Sequence, residues 1–512
     1  MQDRSDQQSN EESGEKSILD DPNDVGKREA ELIAARRANL AALRSRGIDP
    51  FEATRYDVTA HAGTLAERYA GLGPEEHAEG EEWQLAGRVM SLRGPFADIS
   101  DRTGRFQLYF AKKELGDTFT LLKSLDRGDF LGARGFVFRT KMGDLALHVR
   151  AFDVLSKGLA PLPDKWHGLV DIEKRYRQRY VDLIVNPHVR DVFMQRSRII
   201  AAMRRFIDAQ GFYECETPTL LNVAGGAAAR PFLTHVNALD IEMTLRIATE
   251  LNLKRLIVGG LERVYEIGRI FRNEGVDTTH NPEFTMLELY AAYWSVHEMM
   301  DFNEALMAHL VAELHGSDTL MYCEDAISFK RPFARIAYLD AMREWGGLTR
   351  ETLLSFEGAQ RVLHDLGVPP SPSHAHALDK IFERVVEPEL LHPTFVHDYP
   401  VVLSPLAKRK AGDPDLTDRY ELFCASMEVA NAFTELNDPD DQRRRFELQI
   451  AERAAGDEEV PPPDWDFVNA LEYGMPPTAG IGIGVDRLVM LLTNNASIRD
   501  VILFPLQRPL PP

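Results

Sequence analysis

The 512-residue sequence predicts an α+β protein in two parts, a small N-terminal β-barrel followed by a larger domain of mixed strands and helices. Three observations lead there. Short alternating segments with Gly and Asp turns crowd between Trp83 and Ser156. From Val192 onward, helical periods and strand-like runs interleave to the end of the chain. A composition of 44% hydrophobic and 27% charged residues is enough for more than one packed core.

Taken in order, residues 1–24 hold eight acids against Arg4 and Lys16, no aromatic residue and no apolar period, and are expected to be a disordered acidic tail. From Val25 to Arg46, Leu32, Ala35, Leu40 and Leu43 recur at helical spacing until Gly47 and Pro50 stop the pattern. This opens a helical segment over 25–80, with a solvated basic face of Arg36, Arg37, Arg44 and Arg46. Residues 81–156 read as five strands with their turns (QLAGRVMSL, GPFADISDRTG, RFQLYF, FLGARGFVFRT and KMGDLALHVRAFDVLS) and a helical piece near Glu114–Leu125. Five strands in about 75 residues fit a closed OB-fold barrel. A linker over 157–180 carries Pro161, Pro163 and the basic cluster Lys174, Arg175, Arg177 and Arg179. Residues 181–512 form the larger domain, interrupted at about 325–390 by a helical insertion around Pro369, Pro370 and Pro372.

Composition excludes several classes of function. A net charge of −21 argues against a protein that coats nucleic acid non-specifically, although a local basic face remains open. Two short acidic stretches, 75–82 and 457–466, read as solvated loops. Cys215, Cys323 and Cys424 lie far apart with no C-x-x-C pair, so neither a disulfide framework nor a structural zinc site is expected. No apolar run reaches the length of a membrane span and the N-terminus is polar, which predicts a cytoplasmic protein with no membrane partner. There is no G-x-x-x-x-G-K-[ST] loop, and Gly480-Ile481-Gly482-Ile483-Gly484 has the wrong register for a dinucleotide loop.

Three segments carry the chemistry. A helix ends in GFYECETPTL (Gly211 to Leu220). Then VYEIGRIFRNEGVDTTHNPEFTMLELYAAY (Val264 to Tyr293) reads strand, polar loop, strand. Last, GIGIGVDRLVMLL (Gly480 to Leu492) is a strand running into a helix. Their order and spacing resemble the three signature motifs of class II aminoacyl-tRNA synthetases. The runs LRIATELNLKRLIVGG, AGGAAARPF, RYRQRYVDLIVNP, PLAKR, ANAFTELNDP and LEYGMPPTAG narrow the resemblance to the lysyl-tRNA synthetases, over nearly the whole chain after the tail. That resemblance implies an OB-fold anticodon domain joined to an antiparallel six-stranded catalytic sheet flanked by helices. It also implies a homodimer with the first motif at its interface, and ATP-dependent joining of lysine to tRNA(Lys) through lysyl-adenylate.

It further implies site residues, each testable on chemical grounds. Attack at the α-phosphorus of ATP needs fixed positive charge, and Arg272 and Arg487 match the family's two catalytic arginines. Glu274 matches the residue near the adenine amino group, His280 one near the γ-phosphate and Phe284 the ring under adenine. Mg²⁺ requires carboxylate oxygens together with phosphates, and Glu421 and Glu428 match its ligands. Lysine carries two ammonium groups, so its pocket needs two acidic sites. Glu250 matches the partner of the α-amino group and Glu435 that of the ε-ammonium, with the Tyr290 hydroxyl as a second contact and Gly226 and Asn431 as further pocket residues. In the barrel, Arg88, Phe96 and Gln107 match the positions that stack on and read an anticodon uridine, whereas Phe96 taken alone reads as barrel core.

The chain departs from the family pattern at Thr249, where Pro is usual, at Thr244 and Asn252, where aromatics are usual, and in a shortened Ser91–Pro95 loop. These bear on pocket shape and anticodon geometry, not on the catalytic charges. Three rivals use the same scaffold: an enzyme that lysylates a protein, the aspartate or asparagine enzyme, and a non-catalytic RNA-binding module. The barrel counts against the first, Glu250 with Glu435 against the second, and the intact Arg272, Glu421, Glu428 and Arg487 against the third.

Overall fold

The computed structural model describes residues 22–163, 169–227, 229–454 and 462–510. The chain divides into two compact units, Met1–Gly168 and Leu169–Pro512. Most of the expected acidic tail, up to residue 21, lies outside the described residues.

In the first unit a helix spans Pro22–Arg44, three residues longer at its start than the apolar period predicts. Proline is tolerated in a first helical turn because its missing N–H would be unpaired there anyway. The face expected to be solvated is partly an anchor. Arg36 is buried and donates to the carbonyls of Gly158, Ala160 and Arg127 at 2.7, 3.2 and 2.9 Å. Five strands, His77–Arg93, Phe96–Ser100, Arg105–Phe110, Phe130–Arg139 and Leu145–Ser156, close into a barrel. The acidic stretch from residue 77 is therefore strand, not loop; Glu79, Glu81 and Glu82 still face solvent. Alternation fills the barrel with Leu85, Val89, Ile99, Phe106, Leu108, Leu131 and Val149.

The second unit is built on an eight-stranded sheet. Its order is Ala334–Ala337, Thr394–His397, Arg419–Cys424, Met427–Thr434, Thr478–Gly484, Glu283–Ala292, Arg263–Phe271 and Tyr213–Glu214. The inner six strands are antiparallel, as the family resemblance implies, and a short parallel strand extends each edge. One face packs on the helices Pro187–Ala209, Val296–His315 and Val485–Leu492 through Ile199, Met203, Met299, Leu306, Leu488 and their neighbours. The Val296–His315 helix starts on a capping box between Ser295 and Glu298.

Two expectations change in detail. The 157–180 linker contains a helical turn at Ile172–Arg177 and the start of another at Arg179–Val185, and Arg179 of its basic cluster is fully buried against Asp182 at 2.6 Å. The insertion at about 325–390 opens with strands at Asp325–Ser328 and Ala334–Ala337. Its helices follow, Tyr338–Gly346, Arg350–Leu353, Phe356–Asp365 and His374–Val385, around their own core. Among the described residues no helix is long and apolar enough to cross a membrane.

Candidate active site

The period of two in the central strands makes the site. In Glu283–Ala292, Leu287, Leu289 and Ala291 point into the helix-covered core, which leaves Glu288 and Tyr290 on the opposite face. In Thr478–Gly484, Ile481 and Ile483 go to the core and Gly480, Gly482 and Gly484 to the other side. The run that imitates a dinucleotide loop is thus a central strand whose glycines leave room for neighbours. A side-chain carbon at Gly480 would collide with Glu435 and with the Tyr290 ring. Over this face opens a cavity of about 480 Å³.

One end of the cavity is acidic. Glu250 begins the helix Glu250–Val258, and Glu435 follows the strand Met427–Thr434. Both are buried, as is Glu288. Gly226 is required beside them: its φ is +91°, and a Cβ there would stand 3.0 Å from that of Glu250. Glu288 Oε1 accepts from the Thr249 N–H at 3.0 Å and Oε2 from the Tyr290 hydroxyl at 3.2 Å. The Tyr290 hydroxyl is therefore already directed to a carboxylate the sequence reading did not single out. Burial first, and the charge of Glu250 second, push the Glu288 carboxyl up to about 7. Thr249 acquires a role here, since the Pro usual at its position would lack the N–H that meets Glu288.

The other end is cationic. Arg272 follows the strand Arg263–Phe271, its guanidinium 5.3 Å from the centre of the Phe284 ring. Burial draws its pKa down, against the opposing charges of Glu274, Glu428 and Glu288. Arg487, in the first turn of Val485–Leu492, donates to the Glu428 carboxylate at 3.2 Å and lies 3.3 Å from His280 Nε2. The adjacent Asp486 fixes this turn by accepting from Arg196 at 2.5 Å and from the Thr285 N–H at 2.6 Å. His280 Nδ1 sits 2.9 Å from Asp277, whose carboxyl falls to about 2; burial opposes the drop, and hydrogen bonds from Thr279 and His280 outweigh it.

Gly226, Glu250, Arg272, Glu274, His280 and Phe284 all line this one cavity, as do Tyr290, Glu428, Asn431, Glu435 and Arg487. Glu421 does not. It lies on Arg419–Cys424, paired in register with Asn431, and its carboxylate is held by the Tyr399 hydroxyl at 2.8 Å and by Arg419. Burial pushes Glu421 up to about 7, with Arg419 opposing and Glu428 adding to the rise. Arg419 also donates to Asn431 Oδ1 at 3.1 Å, which orients that amide. Among the described residues no three His, Cys, Asp or Glu side chains gather as a metal site.

In the barrel, alternation turns Arg88, Phe96 and Gln107 outward. Phe96 is opposite Tyr109, Asp98 opposite Gln107 and Ser100 opposite Arg88, so the three share one outer face. Phe96 is half-buried on the Tyr109 ring, 4.9 Å between centroids, and is not part of the barrel core. Arg88 donates to the Gly128 carbonyl at 3.0 Å and lies 4.2 Å from the centre of the Phe130 ring.

Residues 171–508 match the model of the class II tRNA synthetases (D, K and N), and residues 83–155 that of the OB-fold nucleic acid binding domain. The lysine–tRNA ligase of Moorella thermoacetica is 52% identical over 488 residues, covering 94% of this chain and 98% of that protein. The chain belongs to the class II lysyl-tRNA synthetases. The lysine–tRNA ligases of Pelotomaculum thermopropionicum and Bacillus subtilis are 51% and 50% identical, covering 94% and 93% of this chain and 95% and 97% of theirs. Membership places the OB-fold and the mixed catalytic sheet in one enzyme.

Glu288, Lys254 and Arg419 are site-forming residues that the sequence reading passed over. Each had a signal: Glu288 is two residues before Tyr290 in an otherwise apolar strand, Lys254 is one helical turn after Glu250, and Arg419 precedes Glu421 on the same strand face.

Proposed function

We propose that the cavity binds lysine at its acidic end and ATP at its cationic end, and that these two ends carry the chain's lysine–tRNA ligase activity. The observation that carries the reading is the make-up of one cavity, which gathers Glu250, Glu288 and Glu435 at one end and, at the other, the guanidinium groups of Arg272 and Arg487 with Glu274 and Glu428 beside them. Lysine brings two ammonium groups and one carboxylate, and only a pocket with more than one acid matches both cations. The ε-ammonium goes to Glu435 and the α-amino group to Glu250, which leaves the substrate carboxylate toward Arg272.

From there the carboxylate oxygen attacks the α-phosphorus of ATP in line, the bond to the bridging oxygen breaks, and pyrophosphate leaves. Arg272 meets the charge that builds on the α-phosphate. Arg487 and His280 hold the triphosphate end, while Phe284 stacks on adenine and Glu274 accepts from its amino group. The terminal ribose hydroxyl of tRNA then attacks the acyl carbon of the adenylate and loses its proton, the bond from that carbon to the phosphate oxygen breaks, and AMP leaves. Positioning and charge neutralisation supply the catalysis, and no side chain need form a covalent bond.

Glu421 and Glu428 are both carboxylates, the donor type a hard cation takes; Glu428 lines the cavity, whereas Glu421 lies outside it, tied to Tyr399 and Arg419, and would have to turn toward the phosphates to share the ion. Mg²⁺ held by them and by substrate phosphates would neutralise negative charge on the triphosphate. On the barrel, the outer face of Phe96, Gln107 and Arg88 takes the anticodon, with Phe96 as the stacking platform. A cytoplasmic homodimer completes the reading. Its support is a set of exposed apolar residues from the end of the first motif onward, Leu220, Leu233, Leu239 and Ile241.

Glu435→Gln tests the pocket. Leaving a buried ammonium without its charged partner costs roughly 3 to 5 kcal/mol, so the lysine KM should rise by at least two orders of magnitude while the ATP KM holds. A lysine KM close to that of the unmodified enzyme would place the ε-ammonium elsewhere.

A further inference from the structure

The helix Glu250–Val258 carries a lysine of its own inside the wall of the acidic pocket. Lys254 is buried one turn after Glu250. Its ammonium is 2.5 Å from Glu250 Oε1 and also pairs with Glu435 Oε2. The rings of Phe433, Phe467 and Tyr290 surround it, with centroids 5.2, 5.8 and 5.9 Å away. Glu250 and Glu435 line the cavity, and Lys254 does not. Each glutamate gives one oxygen to Lys254 and keeps the other forward. Glu250 Oε2 lies 3.7 Å from where a Gly226 Cβ would stand, and Glu435 Oε1 is the atom that a side chain at Gly480 would strike.

We propose that Lys254 is a positioning residue for amino-acid selection, a fixed cation behind the pocket that pairs with one oxygen of Glu250 and one of Glu435 and so keeps the other oxygen of each turned toward the substrate's two ammonium groups. The proposal rests on the reading of those glutamates as the substrate's partners. Its physical basis is charge balance. Glu250, Glu288 and Glu435 are buried close together; burial and the neighbouring carboxylates push the Glu288 and Glu435 carboxyls up, and Lys254 opposes that rise at Glu435. A carboxyl that takes up a proton is a weaker partner for an ammonium group. Burial would drive the Lys254 ammonium to lose its proton, and the two carboxylates outweigh that and hold its pKa above the ordinary value. A bare aliphatic side chain would fill the same space among three aromatic rings without the desolvation of a charge, so the cation is there for its two partners.

The test compares Lys254→Met and Lys254→Gln with Glu435→Gln in the full-length enzyme, measuring thermal melting and the KM for lysine and for ATP in pyrophosphate exchange. Removing the cation should raise the lysine KM at least about ten-fold in Lys254→Met and less in Lys254→Gln, whose amide still donates to a carboxylate, while the ATP KM stays within about two-fold. A lysine KM unchanged in both variants overturns the proposal. So does an equal rise in both KM values, or failure of both variants to fold, either of which would make Lys254 a structural ion. If Glu435→Gln also leaves the lysine KM unmoved, the pocket reading itself has failed; if Glu435→Gln raises it and the Lys254 variants do not, only this inference has.

Discussion

At the scale of single residues, Glu288 gives the site a pH dependence. Its carboxyl is pushed up to about 7, by burial first and by Glu250 second, so near neutrality a substantial fraction is protonated in the free enzyme. Because the folded value lies above the ordinary glutamate value, the stability this group contributes is present at low pH and declines as pH rises toward 7. Substrate binding runs the other way. An arriving ammonium group favours the ionised form, so lysine binding near pH 7 releases a proton and the lysine KM should climb as pH falls from 8 to 6. Calorimetry in two buffers of different ionisation enthalpy counts that proton, and a flat KM with no release would show that Glu288 stays in one state. Glu288 illustrates what the sequence left unread. Its charge stands in the apolar run TMLELYAA, where the motif match explains the strand but says nothing of which face the acid takes. Only pairing to the neighbouring strands turns it toward Glu250.

At the scale of elements, period and spacing were enough to read most of the architecture. The five barrel strands are legible because one face of each is apolar, whereas the six antiparallel strands follow from the motif resemblance and take their order from pairings far apart in sequence. The run from Gly480 to Gly484 shows the limit. It reads as a strand, but why every second residue is Gly does not follow from its pattern; the reason is the bulk of Glu435 and Tyr290 opposite the glycines, which lie far away in sequence. Phe96 is a second case. An aromatic in a short strand reads as core, and its outward turn follows from the register that sets Ala97 and Ile99 inward. The consequence can be measured. Phe96→Ala should lower tRNA charging by roughly 1 to 3 kcal/mol, the contribution of one stacked base, with little change in barrel melting. A core aromatic would instead cost about 3 to 5 kcal/mol of stability, so a large fall in melting temperature would reverse the assignment.

At the scale of the whole molecule, the net charge of −21 and a tRNA partner are compatible on the proposed reading, in which recognition is local, on one outer face of the barrel and in one cavity of the larger unit. Assembly is a separate question, which turns on the exposed Leu220, Leu233, Leu239 and Ile241. Light scattering should give twice the chain mass of 57.8 kDa, and a single-chain mass at micromolar concentration would count against a dimer. The central claim is that three buried glutamates balanced by one internal lysine select a substrate with two ammonium groups. The most direct measurement is ATP–pyrophosphate exchange with Mg²⁺ and each of the twenty amino acids, without tRNA. Exchange should be fastest with lysine and near background with aspartate and asparagine; fastest exchange with aspartate, or with an amino acid lacking a side-chain cation, would contradict it.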